Sequence, residues 1–295
     1  MSPRRWLLFA CFAMILCACS GSASLADSQN ASSDSGSYIQ NKGSDTLVNV
    51  ALGWAERYQQ EHPDVRISVT GGGSGTGIAS LINKTVDIAN ASRKISADEM
   101  AQAKKNGVNP VEFVVARDAI GVIVNPHNPI NSLTMQQVSD IYTGRINNWS
   151  GVGGENRPIV RLSRETNSGT HVYFLSSVIR LGQSNNKDIF SADTLLLPSS
   201  EGIIAEVRDN PNAIGYDGLG YITPEVKVIG IAPAKGKPPI LPSVATVNSG
   251  QYPISRDLYM YTPGQPTGAV KAYLDWVITP EAQKIVSDLG FVPIK

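Results

Sequence analysis

The chain has 295 residues, enough for two lobes that each bury a core. Its 25 basic and 25 acidic residues cancel, which leaves none of the basic surface that a nucleic-acid partner demands. The three cysteines, Cys11, Cys17 and Cys19, all lie in the first twenty residues, so disulfides, thiolate metal sites and cysteine nucleophiles are excluded from the rest.

The chain opens with Arg4 and Arg5, then an apolar run over 6–16. About eleven residues suit a signal-peptide core and fall short of the ~20 that a membrane span needs. The run closes on Leu16-Cys17-Ala18-Cys19, with a small residue before the cut and a cysteine after it, which resembles the lipobox of bacterial lipoproteins. That resemblance implies a leader over 1–18, cleavage before Cys19 and lipidation of Cys19, holding an exported protein at a membrane. Residues 20–37 are mostly Ser, Ala, Asn, Asp and Gly, so 19–37 reads as a flexible tether.

From Tyr38 onward short β-branched runs alternate with amphipathic stretches, the pattern of an α/β fold. Leu47, Val50, Ala51, Trp54 and Tyr58 share one helical face. Residues 65–70 alternate as a strand, and 86–91, 111–116, 119–124 and 159–162 are further strands. Ser96-Ala97-Asp98-Glu99 is a capping box whose helix closes at Gly107. Thr134-Met135-Gln136-Gln137 repeats the device before a stop near Gly144. Residues 172–181 form a helix ended by Gly182, and 269–278 and 281–289 form two more, split by Pro280. His62, His127 and His171 stand apart, without metal-ligand spacing.

Three junctions place glycine and hydroxyl residues where a helix begins: Gly43-Ser44-Asp45-Thr46, then 71–77 with Ser74 and Thr76, then 164–170 with Arg164 and Ser168-Gly169-Thr170. First-turn N–H groups lack helical partners and carry the positive end of the helix dipole, so such ends attract anions. Glycine admits close approach, hydroxyls add donors, and Arg164 offers a planar charged fork. The second junction lacks the Lys-Ser/Thr ending of a nucleotide-binding loop, and Ser168-Gly169 lacks the glycine two residues before the serine that a nucleophile elbow requires. A small oxyanion is the ligand these junctions fit.

In order and spacing, several of these segments resemble the phosphate-binding subunits of high-affinity phosphate ABC transporters, a branch of the type II periplasmic binding proteins. The likeness covers 38–295. It rests on Gly43-Ser44-x-Thr46, on Gly73-Ser74-Gly75-x-Gly77, and on Val86-Asp87-Ile88-Ala89 leading to Ala91-Ser92-Arg93. It also rests on Ile141-Tyr142-x-Gly144 with Asn148-Trp149, and most specifically on Arg164 with Ser168-Gly169-Thr170. The resemblance implies a two-lobed α/β fold with the ligand in the cleft, lobe 1 being 38–117 plus 252–295 and lobe 2 being 118–251. The two crossings fall around Arg117-Asp118 and over 253–256. It implies that Ser44, Thr46 and Ser74 donate from one lobe and Arg164, Ser168, Gly169 and Thr170 from the other, with Ser92 and Arg93 beside them.

Some members of that family carry a carboxylate directly after the Ala-Ser pair to accept the proton that phosphate retains. Here the position is Arg93, either a second cation or the partner of an acid, so Asp45 and Asp118 are the substitute acceptors. The resemblance further implies inorganic phosphate as ligand, an ABC permease as partner and membrane attachment through Cys19. No metal or cofactor is expected, and a monomer is the default because a shuttling receptor gains nothing obvious from dimerising. The same fold tuned to sulfate or molybdate is the alternative. A secreted phosphatase is a weaker one, since no metal cluster, activated nucleophile or His-centred dyad is legible.

Overall fold

In the computed structural model, which describes residues 36–294, strands and helices alternate as the sequence pattern requires. The expected leader, the expected lipidation site Cys19 and all but the last two residues of the expected tether lie outside the described residues. First come β1 (Ser37–Gly43), α1 (Asp45–Glu61), β2 (Val65–Thr70), α2 (Ser74–Ile82), β3 (Ile88–Ala91) and α3 (Ala97–Lys105). Then follow β4 (Val111–Val124), β5 (Ser132–Thr134), α4 (Met135–Tyr142), β6 (Val160–Arg164), α5 (Gly169–Phe174), β7 (Leu195–Leu197), α6 (Ser200–Asp209) and β8 (Ala213–Gly218). The chain ends through β9 (Lys227–Val228), β10 (Gly230–Ala232), α7 (Val244–Asn248), β11 (Ser255–Thr262), α8 (Gly268–Val277) and α9 (Pro280–Asp288).

Local chemistry fixes several boundaries. Ser96 Oγ accepts from Glu99 N at 3.2 Å while Ser96 N donates to Glu99 Oε2 at 2.8 Å, and Thr134 and Gln137 repeat the exchange at 3.1 and 2.8 Å. Gly107, Gly144 and Gly182 all take positive φ at the expected stops. The helix expected over 172–181 starts earlier, at Gly169, and its second part, Leu175–Ile179, winds as a π-helix. The strands expected over 111–116 and 119–124 are one strand, β4. They fuse because the ladder passes without a gap from β11, which pairs Ala119 with Ser255, to β8, which pairs Ile120 with Gly218.

The main sheet runs β2-β1-β3-β11-β4-β8-β6-β7, with β9 also on β4. It is parallel toward both edges and antiparallel where β11 meets β3 and β4 and where β4 meets β8. A second, small sheet pairs β5 with β10. The buried apolar residues fall into four clusters. Two, around Trp54 and around Ile78, draw on residues up to 116 and from 258 onward, Tyr221 excepted. The others, around Tyr142 and around Ile203, draw on residues 119 to 254, Val292 excepted. Burial thus changes sides between Ala116 and Ala119 along β4 and between Ile254 and Leu258 along β11. Arg117, Asp118 and Arg256 sit at that seam.

Candidate anion-binding site

Each of β1, β2 and β6 runs directly into a helix, α1, α2 and α5, and the three first turns converge. Thr46 Oγ1 on α1 lies 3.0 Å from Thr170 Oγ1 on α5. Ser74 Oγ on α2 accepts from Ser92 N at 3.0 Å and lies 3.3 Å from Ser92 Oγ. Gly169 is pressed against this pair: a methyl on its Cα would fall 2.3 Å from Ser74 Oγ and 2.5 Å from Ser92 Oγ. Ser168 caps α5, its Oγ accepting from Thr170 N at 3.2 Å. Ser44 occupies the same position before α1, yet its buried hydroxyl makes no cap bond and has no partner among the described residues.

The cation at this convergence is Arg256, on β11. Nη2 donates to Thr170 Oγ1 at 2.9 Å, to Thr46 Oγ1 at 3.3 Å and to Asp118 Oδ2 at 2.9 Å, while Nη1 donates to Ser92 O at 3.0 Å. The guanidinium lies 5.5 Å over the Tyr173 ring. Sequence reasoning placed this residue only at a lobe crossing. The available signal was an arginine with Ile254 and Leu258 two positions to either side, on the same strand face, where burial forces it to find a counter-charge.

Asp118 supplies that charge. It is wholly buried, and burial pushes its carboxyl above the ordinary aspartate value against the pull of Arg256. Arg256 Nε and Nη2 reach Oδ2 at 3.3 and 2.9 Å, and Leu219 N reaches Oδ1 at 3.1 Å. The backbone of Ala119 adds to these bonds on the carboxyl.

Arg164, the last residue of β6, is buried among protein acceptors. Nη2 donates to Asp45 Oδ2 at 2.6 Å and Pro198 O at 2.8 Å, and Nη1 donates to Ser200 Oγ at 2.8 Å. Asp217 Oδ2 is 3.7 Å from Nη1, and Ser200 Oγ donates to Asp217 Oδ1 at 3.0 Å. Burial raises the Asp217 carboxyl to about 6, opposed by Arg164. Arg93 turns away toward α3, with Nη1 and Nη2 each 2.7 Å from a Glu99 oxygen. Burial pushes the Glu99 carboxyl up, but the bonds from Arg93 and Ser96 outweigh it and hold it below its ordinary value. Of the two readings open for Arg93, the geometry is that of an acid's partner.

Ser163 Oγ meets His171 Nδ1 at 3.0 Å and Tyr216 OH at 2.6 Å, while His171 stacks on Phe190. This is a His-centred contact the sequence did not reveal, and it lies in the packing beneath α5. Among the described residues no group of three His, Cys, Asp or Glu side chains is placed to hold a metal.

Residues 28–281 match a family model described as a PBP superfamily domain. The phosphate-binding protein PstS of Pseudomonas aeruginosa PAO1 is 32% identical over 287 residues, covering 92% of this chain and 87% of that protein. The Bacillus subtilis 168 protein of the same name is 31% identical over 297 residues, covering 98% and 92%. Among solved structures, a phosphate ABC transporter substrate-binding protein with bound phosphate from Clostridium perfringens superposes with a TM-score of 0.77 at 28% identity, covering 88% of this chain and all of that one. An ABC-type phosphate transport receptor from Vibrio cholerae gives 0.70 at 26% identity, covering 87% of this chain and all of that one. The α/β architecture is that of the type II periplasmic binding proteins.

Proposed function

The chain belongs to the periplasmic-binding-protein superfamily and, within it, to the phosphate-binding subunits of ABC transporters; on that premise we propose that it captures inorganic phosphate and delivers it to an ABC permease. It is an exported solute-binding protein rather than an enzyme. The observation that carries the reading is Arg256 Nη2, which meets Thr46, Thr170 and Asp118 together, so that hydroxyls from two helix starts converge on one buried ion pair.

The sequence expectation puts 252–295 in lobe 1, but Tyr252 and Ile254 pack with the core of residues 119–254. The change of core along β4 and β11 therefore supports lobe 1 as 38–117 plus 255–295 and lobe 2 as 118–254. Two strands crossing at Arg117-Asp118 and Ser255-Arg256 form a hinge about which rigid lobes close. The anion favours the closed state because only there do Ser44, Thr46, Ser74 and Ser92 join Ser168, Gly169 and Thr170 around it. Arg256 balances its charge. Asp118 accepts the proton of phosphate, and fully ionised sulfate would leave that carboxylate facing another anion. The protein acts as a monomer held to a membrane by lipidated Cys19.

Isothermal titration of the purified full chain with inorganic phosphate tests the reading. Saturable binding at one site per chain is expected, and an absence of binding heat at every temperature tried would overturn it.

A further inference from the structure

Resting on the reading that the lobes open and close, we infer that Asp45 does not bind the anion but clasps the two lobes through Arg164. Asp45 is the first residue of α1 and its side chain is 23% exposed, at the rim rather than the floor of the site. It collects bonds from three separate elements. Gly72 N donates to Oδ1 at 2.8 Å, Arg164 Nη2 donates to Oδ2 at 2.6 Å, and Tyr221 OH donates to the Asp45 carbonyl at 2.5 Å. The first bond stays within lobe 1. The second crosses to lobe 2, and the third comes from Tyr221, a lobe-2 residue by sequence whose ring packs in the lobe-1 core.

The asymmetry of Arg164 makes the crossing bond consequential. Its contacts with Leu197 O, Pro198 O, Ser200 Oγ and Asp217 all lie within lobe 2 and persist whether the cleft is open or shut. Only the bond to Asp45 depends on closure, and it is a charge-assisted bond to a guanidinium that is 1% exposed. Asn167 adds uncharged crossing bonds, donating from Nδ2 to Gly72 O at 2.9 Å and accepting from Gly75 N at 2.9 Å. None of these bonds uses the hydroxyls or the Arg256–Asp118 pair at the floor. The clasp therefore sets how much of the protein is closed before any anion arrives, and the anion's affinity scales with that closed fraction. Asp45 is thus a positioning residue, and anion selectivity is left to the floor.

Beyond Cys11, Cys17 and Cys19 the chain holds no cysteine, so in a full chain with those three changed to Ser two introduced ones report lobe separation. Spin labels at exposed positions, Gln102→Cys in lobe 1 and Lys235→Cys in lobe 2, give a distance distribution by pulsed electron resonance. Without anion, Asp45→Asn is expected to move the distribution to longer distances, and Tyr221→Phe to do so less. Saturating inorganic phosphate is expected to return both to the short distance. Asp45→Asn should weaken phosphate binding roughly tenfold while leaving the phosphate-to-sulfate affinity ratio unchanged. An unchanged anion-free distribution in Asp45→Asn overturns the clasp, as does a changed ratio, which would put the carboxylate against the anion. If phosphate fails to shorten the distance even in the unsubstituted chain, the phosphate reading fails, while the anion-free comparison still decides the clasp.

Discussion

Arg256 and Asp118 form a pair whose partners can be removed singly or together. Arg256→Ala strips the cation from the convergence and should weaken phosphate binding by roughly 2–4 kcal/mol in titration. It should also cost about 3–5 kcal/mol of stability, because Asp118 stays buried without its counter-charge. Asp118→Asn in the same chain should recover most of the stability and none of the affinity; recovered affinity would show that Arg256 acts on the fold alone. His171 makes a separate prediction. Burial lowers its imidazole below the ordinary 6.5, so between those two values the unfolded chain binds more protons than the folded one. Its contribution is intact above the ordinary value and is lost as pH falls toward the lower folded one. The urea midpoint should therefore drop more between pH 7.5 and pH 5 in the parent than in His171→Asn, and parallel drops would contradict this. The hydroxyls and Arg164 stood out in the sequence because each lies beside a helix start. Arg256 did not, since its role arises only when β11 pairs β4 and brings position 256 opposite Asp118.

Helix starts were legible for the same reason that they function: Ser96, Thr134 and Ser168 carry cap chemistry in a few adjacent residues. Strands defined by distant partners were not. β8 has glycines at 215 and 218, and β11 mixes Arg256 and Asp257 with Tyr259 and Tyr261, so neither shows a clean alternation until its neighbours bury it. The break expected between 116 and 119 was the reverse error, in which two polar residues, Arg117 and Asp118, mark a change of core rather than an end of strand. At the start of α5 the fit is tight enough to test. Gly169→Ala should abolish phosphate binding, because its methyl would collide with Ser74 and Ser92 whenever the lobes close. Its unfolding midpoint without anion should change little, since the cap at Ser168 is kept; a large loss of stability would mean that the contact belongs to the fold and not to closure.

For the whole molecule, a ligand that binds only the folded, closed form must raise stability by mass action. Phosphate at a hundred times its Kd should add about 2.7 kcal/mol, read as a higher urea midpoint, with sulfate adding nothing at the same concentration. The α/β class was readable because the chain alternates strand and helix, while the two-lobed plan rested on its length and on the family resemblance that the three junctions carry. The closing contacts at the rim were not readable, because they join Asp45 to Arg164 and Tyr221 across 119 and 176 positions of sequence. The most direct test of phosphate capture around the Arg256–Asp118 pair is competition titration of the full chain with phosphate and sulfate, beside Asp118→Asn. A site built to accept a ligand proton should reject sulfate by roughly 10⁴-fold in the parent, and Asp118→Asn should narrow that gap by at least tenfold. Equal affinity for the two anions, or a gap that survives Asp118→Asn undiminished, would contradict it.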